Sequence, residues 1–284
     1  MSNNIDLFGG TGFIGTEFFN LYALNTHIHD RENNIPLYCQ SPHYCDYRNI
    51  LYMISTTHNF NILDNSHIDV ETNINKLLKV LDNCKNNNIV FNYLSTWYVY
   101  GNSEIPASEH SACNPTGFYS ITKKCAEDLI ISFCKTFNIK YRILRLGNIY
   151  GTNDKDSSPK KNVLGHLTNQ IKNNEDIKLY FNGEFIRDYI HVTDTCKAIK
   201  LCIDHGDINS IYNISNGCPL IFKDLINYII NKTGSKSNIK YVDQNDFQKL
   251  IQIKDMYLNS DKLFSLGYKP DIDIYTGLDM LCAQ

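Results

Sequence analysis

Residues 5 to 15 read IDLFGGTGFIG, a short apolar run that ends in glycines at 9, 12 and 15. No other stretch restricts the fold as much. A strand, a glycine turn and then a helix form a unit that accepts a phosphate. The glycines permit a tight turn and let a pyrophosphate approach the first N–H groups of the helix. The spacing is G-x-x-G-x-x-G rather than the commoner G-x-G-x-x-G, so the pattern has to be read with its flanks. They agree with it. A helix over roughly 13 to 25 follows, with Phe13, Ile14, Phe18, Leu21 and Tyr22 as its apolar stripe. Gly9, Gly12, Phe13, Ile14 and Gly15 are therefore the first cofactor-binding positions.

The alternation continues along the chain. The next strand is expected near THIHD at 26 to 30, and Asp30 stands where an acidic residue accepts from an adenosine ribose hydroxyl. Arg31, directly after it, favours a 2′-phosphate, so NAD is expected and NADP stays open. Residues 31 to 49 leave too little room for a further strand and helix, which predicts a trimmed first half. Asp46 is a candidate for the adenine edge. LYMIS at 51 to 55 reads as the next strand, with Ser55 and Thr56 at its end lining the cofactor. A helix over 67 to 87 carries Ile74, Leu77, Leu78 and Leu81 on one face, interrupted by Asn73. That Asn is either a brace for the active-site strand or a partly exposed helix residue. Strands at 89 to 94 and 140 to 146 flank a helix that runs from Tyr119 through Phe137. The pattern predicts an α/β fold, a doubly wound Rossmann-type parallel sheet covered on both faces.

After 151 the polar loop TNDKDSSPKKN marks a change. A helix near 162 to 173, strands near 177 to 181 and at IYNIS, and a helix over 221 to 231 predict a small α/β C-terminal substrate domain. The division expected is 1–155 with 187–205 returning to it, against 156–186 and 206–284.

A chain of 284 residues with 43% hydrophobic and 20% charged content can bury a full core. Its net charge of −3 offers no basic excess for nucleic acid. No apolar run reaches the length of a membrane span and MSNNIDLFGG does not read as a signal peptide. The ten cysteines include no C-x-x-C pair, which fits reduced thiols in a cytoplasmic setting. His27, His29 and Asp30 read as strand-end residues, and no metal site is expected.

The chemistry concentrates in residues 95 to 123, STWYVYG followed by NPTGFYSITKK. Tyr119 and Lys123 lie one helical turn apart on one face. An ammonium beside a phenol lowers the phenol pKa. A hydroxyl from Thr96, at a strand end, reaches the same substrate oxygen. Together they form a device for moving a proton on or off an alcohol next to a hydride carrier. Arg187 beside Asp188 is either a guanidinium held for a phosphate or half of a structural salt bridge.

These pieces, with RLGNIYG at 145 to 151, RDYIHVTD at 187 to 194 and YNISNG at 212 to 217, resemble the extended short-chain dehydrogenase/reductases, in particular the NAD-dependent nucleotide-sugar epimerases and dehydratases. The resemblance implies that Gly9, Gly12 and Gly15 hold the pyrophosphate and that Tyr119 is the acid/base. It implies that Lys123 binds the nicotinamide ribose and that Thr96 is the hydroxyl partner. Asn148 would face the substrate, Asn162 and Val163 would start the segment that contacts the nucleotide, and Arg187 would bind the diphosphate. A homodimer through helices near 67–87 and 117–137 is implied as well.

Departures choose among the family's reactions. Sugar 4,6-dehydratases typically carry an acidic pair after the Thr; here the residues are Trp97 and Tyr98, and an indole transfers no proton. A second nucleotide-binding Arg near 252 is replaced by Gln252 and Lys254. The leading expectation is a nucleotide-sugar 4-epimerase using NAD, with Trp97 and Tyr98 at the sugar. The alternative is an NAD(P)H-dependent 4-ketoreductase acting on a 4-keto-6-deoxy sugar. A dinucleotide-binding sensor without catalysis is the third reading.

Overall fold

A computed structural model describes residues 4–29, 48–85, 88–154 and 157–283. Its centre is a six-stranded sheet. Across it run Ser210–Ile214, Lys140–Leu146, Ile89–Thr96, Arg48–Tyr52, Ile5–Phe8 and Thr26–His29, every neighbour parallel. The strand Ile89–Thr96 is buried along its whole length, as a strand covered on both faces must be. Among the described residues the sheet ends at Thr26–His29, directly beside the first strand; residues 30–47, on which the expected trimming rests, lie outside the described residues.

Alternation along Ile5–Phe8 sends Ile5 and Leu7 to one face and Phe8 to the other. The first face packs with Phe18, Leu144, Cys196 and Ile199, under the helices Phe13–Tyr22 and Val192–His205. The second packs Phe8, Tyr52, Phe91 and Tyr93 against Leu77, Leu81, Ala126 and Ile130, from Lys76–Cys84 and Phe118–Thr136. A third apolar cluster joins the helices Val163–Lys172, Phe222–Thr233 and Ile274–Ala283 through Leu164, Ile171, Phe222, Ile226 and Leu278. Around it lie two short ladders, Ile177–Leu179 with Ile239–Tyr241 and Ile186–Arg187 with Leu220–Ile221. No helix among the described residues is long and apolar enough to cross a membrane.

Two sequence expectations need correction. The third strand is Arg48–Tyr52, not 51 to 55. Tyr52 is already level with Phe8 and Tyr93, where the first strand gives way to the glycine turn, so Met53 to Ser55 leave the ladder and line a cavity. The helix expected over 67 to 87 is not one α-helix. It starts at Ile68–Val70, widens into a π turn over Glu71–Asn75 and resumes as Lys76–Cys84. Such widened turns interrupt helices most often at functional sites.

Candidate active site

The Phe118–Thr136 helix begins at Gly117, whose missing side chain leaves room for Asn59: a Cβ there would meet Asn59 Oδ1 at 2.1 Å. Asn59 Oδ1 accepts from Ser120 N at 3.1 Å and so caps the helix from another segment. This sets Tyr119 in the first turn, and its phenol shares a hydrogen bond with the Thr96 hydroxyl. Lys123, one turn on, is 2% exposed. Its Nζ donates to Leu94 O at 2.6 Å and lies 4.1 Å from the centre of the Tyr93 ring.

The expected Lys123 effect on Tyr119 is not what the geometry gives. The ammonium is turned to the Leu94 carbonyl and the Tyr93 ring. Burial raises Tyr119 well above an ordinary phenol, and the Thr96 bond opposes that rise. Burial also pulls Lys123 down to about 7, against a raising influence from Glu127. The protein alone therefore holds Tyr119 as a neutral phenol.

Two cavities meet at Tyr119. The larger, of about 1250 Å³, is lined by Gly9, Gly12, Phe13, Ile14, Gly15, Ser55, Thr56, Tyr119 and Lys123. Every described cofactor position read from the sequence is thus on its wall. Asp30, Arg31 and Asp46 lie outside the described residues. The glycine turn fits a dinucleotide on its own geometry. Gly9 has φ +92°, and a Cβ on Gly15 would meet Gly9 O at 2.2 Å. No side chain caps the Phe13–Tyr22 helix, so its first N–H groups are left for a ligand phosphate.

The second cavity, of about 720 Å³, is lined by Thr96, Trp97, Tyr98, Tyr119, Asn148, Asn162, Val163 and Arg187. Trp97 is its wall: the indole is buried, stacks on Tyr98 at 3.9 Å and donates from Nε1 to Asn148 Oδ1 at 3.2 Å. Asn148 Nδ2 in turn donates to Asp188 O at 2.9 Å. The Tyr98 ring stands 6.2 Å from that of Tyr119, edge to face. Asn162 caps the Val163–Lys172 helix through Oδ1 and donates to Asp154 at 2.9 Å, so its side chain orders the wall. Val163 is half exposed into the cavity.

Arg187 and Asp188 are not a pair. Asp188 turns away, accepting from Ser215 Oγ and from Gly217 N at 3.0 Å, and burial raises its carboxyl to about 6. The Arg187 guanidinium is held by the carbonyls of Ile186, Ile253 and Lys254 at 2.7, 2.8 and 2.5 Å and lies over Phe185 at 4.6 Å. Among the described residues no carboxylate lies within salt-bridge distance of it, and its charge faces the cavity. The segment expected to hold a second Arg contributes backbone carbonyls instead.

Sequence reasoning missed two contributors, His58 and Asn59. His58 lines both cavities, and its Nδ1 is buried with no hydrogen-bond partner among the described residues. Asn59 caps the Tyr119 helix across a gap of 61 residues that no local pattern reveals. Asn73, read as either a brace for the active-site strand or a partly exposed residue, is 1% exposed and braces other elements than that strand. Its Oδ1 accepts from Ser55 Oγ at 3.0 Å and Thr56 N at 2.9 Å, and its Nδ2 donates to Thr56 Oγ1 at 2.8 Å and Thr122 Oγ1 at 2.9 Å. It thus joins the 55–56 loop to the Tyr119 helix.

Residues 54–215, more than half of the chain, match the model of the NAD dependent epimerase/dehydratase family. The chain belongs to that family. A dTDP-D-glucose 4,6-dehydratase of Dictyostelium discoideum is 30% identical over 195 residues, 64% of this chain and 44% of that protein. A dTDP-4-dehydro-6-deoxyglucose reductase of Escherichia coli is 29% identical over 186 residues, 64% of this chain and 57% of that protein. The match therefore spans only about half the length of these curated relatives. A UDP-glucose 4-epimerase from Thermotoga maritima, solved with UDP-glucose, superposes with a TM-score of 0.84 at 21% identity, covering 99% of this chain and 97% of that one. That likeness is one of fold, and it runs the length of the chain.

Proposed function

We propose that this family member is a nucleotide-sugar 4-epimerase. The observation that carries the reading is Tyr119 at the meeting of the two cavities, bonded to Thr96, with an aromatic wall where a dehydratase would need a carboxylate pair. Gly9, Gly12 and Gly15 with the Phe13 and Ile14 amides hold the pyrophosphate of NAD, and Lys123 holds the nicotinamide ribose. A bound nicotinamide supplies the acceptor and donor of hydride beside the sugar C4. Only as the phenolate can Tyr119 take the proton of the C4 hydroxyl and later return it; burial alone disfavours that form, and the positive charge of a bound oxidised nicotinamide would favour it, releasing the phenol proton to solvent, while Thr96 fixes the substrate oxygen. Arg187 binds the diphosphate, and Trp97 with Tyr98 shapes the sugar subsite. Helices Lys76–Cys84 and Phe118–Thr136 would face a second copy in a homodimer.

A second reading rests on the same phenol. Buried and neutral, Tyr119 is a ready proton donor, the state that reduction of a 4-keto-6-deoxy sugar needs. One experiment separates the two: denature the purified protein and quantify the dinucleotide released. Near-stoichiometric NAD, followed by C4 inversion of a UDP- or other nucleotide-sugar, supports the epimerase. An empty protein that binds NADPH and reduces a 4-keto sugar overturns it in favour of the reductase.

A further inference from the structure

Three consecutive residues at the end of the strand Ile89–Thr96 are tied to the helix Phe118–Thr136. Lys123 Nζ donates to Leu94 O, Ser95 Oγ donates to Glu127 Oε1 at 2.5 Å, and Thr96 is bonded to Tyr119. Glu127 lies one turn beyond Lys123 on the same helix face. It is fully buried and takes two bonds from Arg145, at 3.0 Å from Nε and 2.7 Å from Nη2. Ser95 and Lys123 line the dinucleotide cavity, and Glu127 and Arg145 stand behind them. A buried ion pair is a poor source of stability in itself. What Glu127 adds here is a negative charge next to a buried ammonium.

The groups around Lys123 make that charge decisive. From its own helix it faces Tyr119 and Glu127, and from the strand beneath it Tyr93, with Tyr52 beside Tyr93 on the next strand. Burial keeps Tyr52, Tyr93 and Tyr119 neutral. Arg145 is a cation. On the facing helical segments, Asp69 is engaged by Thr56 and Asn61, and Glu71 by Asn75. Glu127 is the anion that acts on Lys123.

We propose that Glu127 is a positioning residue of this site: it supplies the charge that keeps the Lys123 ammonium available to the cavity, and through Ser95 it seats the strand end that carries Thr96. The role rests on the dinucleotide reading of the cavity. An ammonium has three N–H donors, of which one is spent on Leu94 O, leaving two for a ligand.

The test titrates the Lys123 side chain by NMR, without ligand, in the wild type and in Glu127→Gln, Arg145→Met and Ser95→Ala. Glu127→Gln keeps the shape and removes the charge, so the Lys123 midpoint falls by about one pH unit. Arg145→Met leaves Glu127 unshared, so the midpoint rises. Ser95→Ala changes no charge and leaves it in place. Opposite shifts in the two partners of one ion pair cannot come from a merely structural role. Midpoints that stay put, or that move the same way in both, overturn the proposal. Should one variant fail to fold, the sign of the other decides. NAD titrated into the same proteins across pH should lose affinity on an alkaline limb that follows each midpoint. A wild type that shows the charge coupling yet binds no dinucleotide refutes the functional reading and not the coupling.

Discussion

Asn73→Leu keeps side-chain volume and removes four hydrogen bonds from a site that is 1% exposed. Three of the partners retain another bond. Ser55 Oγ still reaches Thr56 O, Thr56 Oγ1 still reaches Asp69, and Thr122 Oγ1 still reaches the carbonyls of Phe118 and Tyr119. The Thr56 N–H is left without an acceptor. An orphaned donor costs about 1–3 kcal/mol and the lost net bonds about 1 kcal/mol more, so destabilisation of about 2–4 kcal/mol is expected. Equilibrium urea unfolding reads it as a fall in midpoint at unchanged slope. Ser55 and Thr56 also line the dinucleotide cavity, so NAD affinity should fall by about tenfold, or about 1.4 kcal/mol. A loss below about 1 kcal/mol with wild-type affinity would show that water replaces these bonds, and the bracing role of Asn73 would be refuted.

Other outcomes follow from the same geometry. Arg187→Ala removes a guanidinium held by backbone carbonyls in the cavity wall and should raise KM for a nucleotide-sugar by about 30-fold or more, with a smaller change in kcat; an unchanged KM would move the diphosphate elsewhere. Gly15→Ala places a Cβ against Gly9 O and should abolish dinucleotide binding in a titration; tight binding would mean that the turn is not the pyrophosphate seat. Burial raises the Asp188 carboxyl from its ordinary range near 4 to about 6, so the folded state binds the extra proton. The contribution of this group to stability is full below about pH 4 and is lost as pH rises through about 6, a change of about 3 kcal/mol. Asp188→Asn should flatten that part of the stability–pH curve, and an unaltered slope would assign it to other groups.

Local patterns carried much of this molecule. The glycine turn, the Tyr119–Lys123 spacing and the strand–helix alternation each depend on residues close in sequence, and each stands where its pattern put it. The strand register did not follow, because the apolar run LYMIS continues past the sheet edge into a cavity wall. The π turn at Glu71–Asn75 was hidden for a similar reason: its apolar residues keep helical spacing on both sides. Asn59, Asn73, Glu127 and the carbonyls at 253 and 254 act through partners 17 to 67 residues away, as in Asn73–Thr56, Glu127–Arg145 and Arg187–Lys254. No pattern within a helix or strand encodes such partners. The direction of the Tyr119 shift was also beyond sequence reasoning, since it depends on where the Lys123 ammonium turns and how completely the phenol is buried.

The most direct test of the central claim is turnover and NAD binding of Tyr119→Phe. Tyr119 lines both cavities, and the variant removes the phenol oxygen while leaving the ring beside Tyr98. Turnover of the nucleotide-sugar should fall by about 10²–10⁴-fold with NAD affinity within about threefold of wild type. Turnover that survives the loss of the hydroxyl would contradict the account and remove Tyr119 from the chemistry.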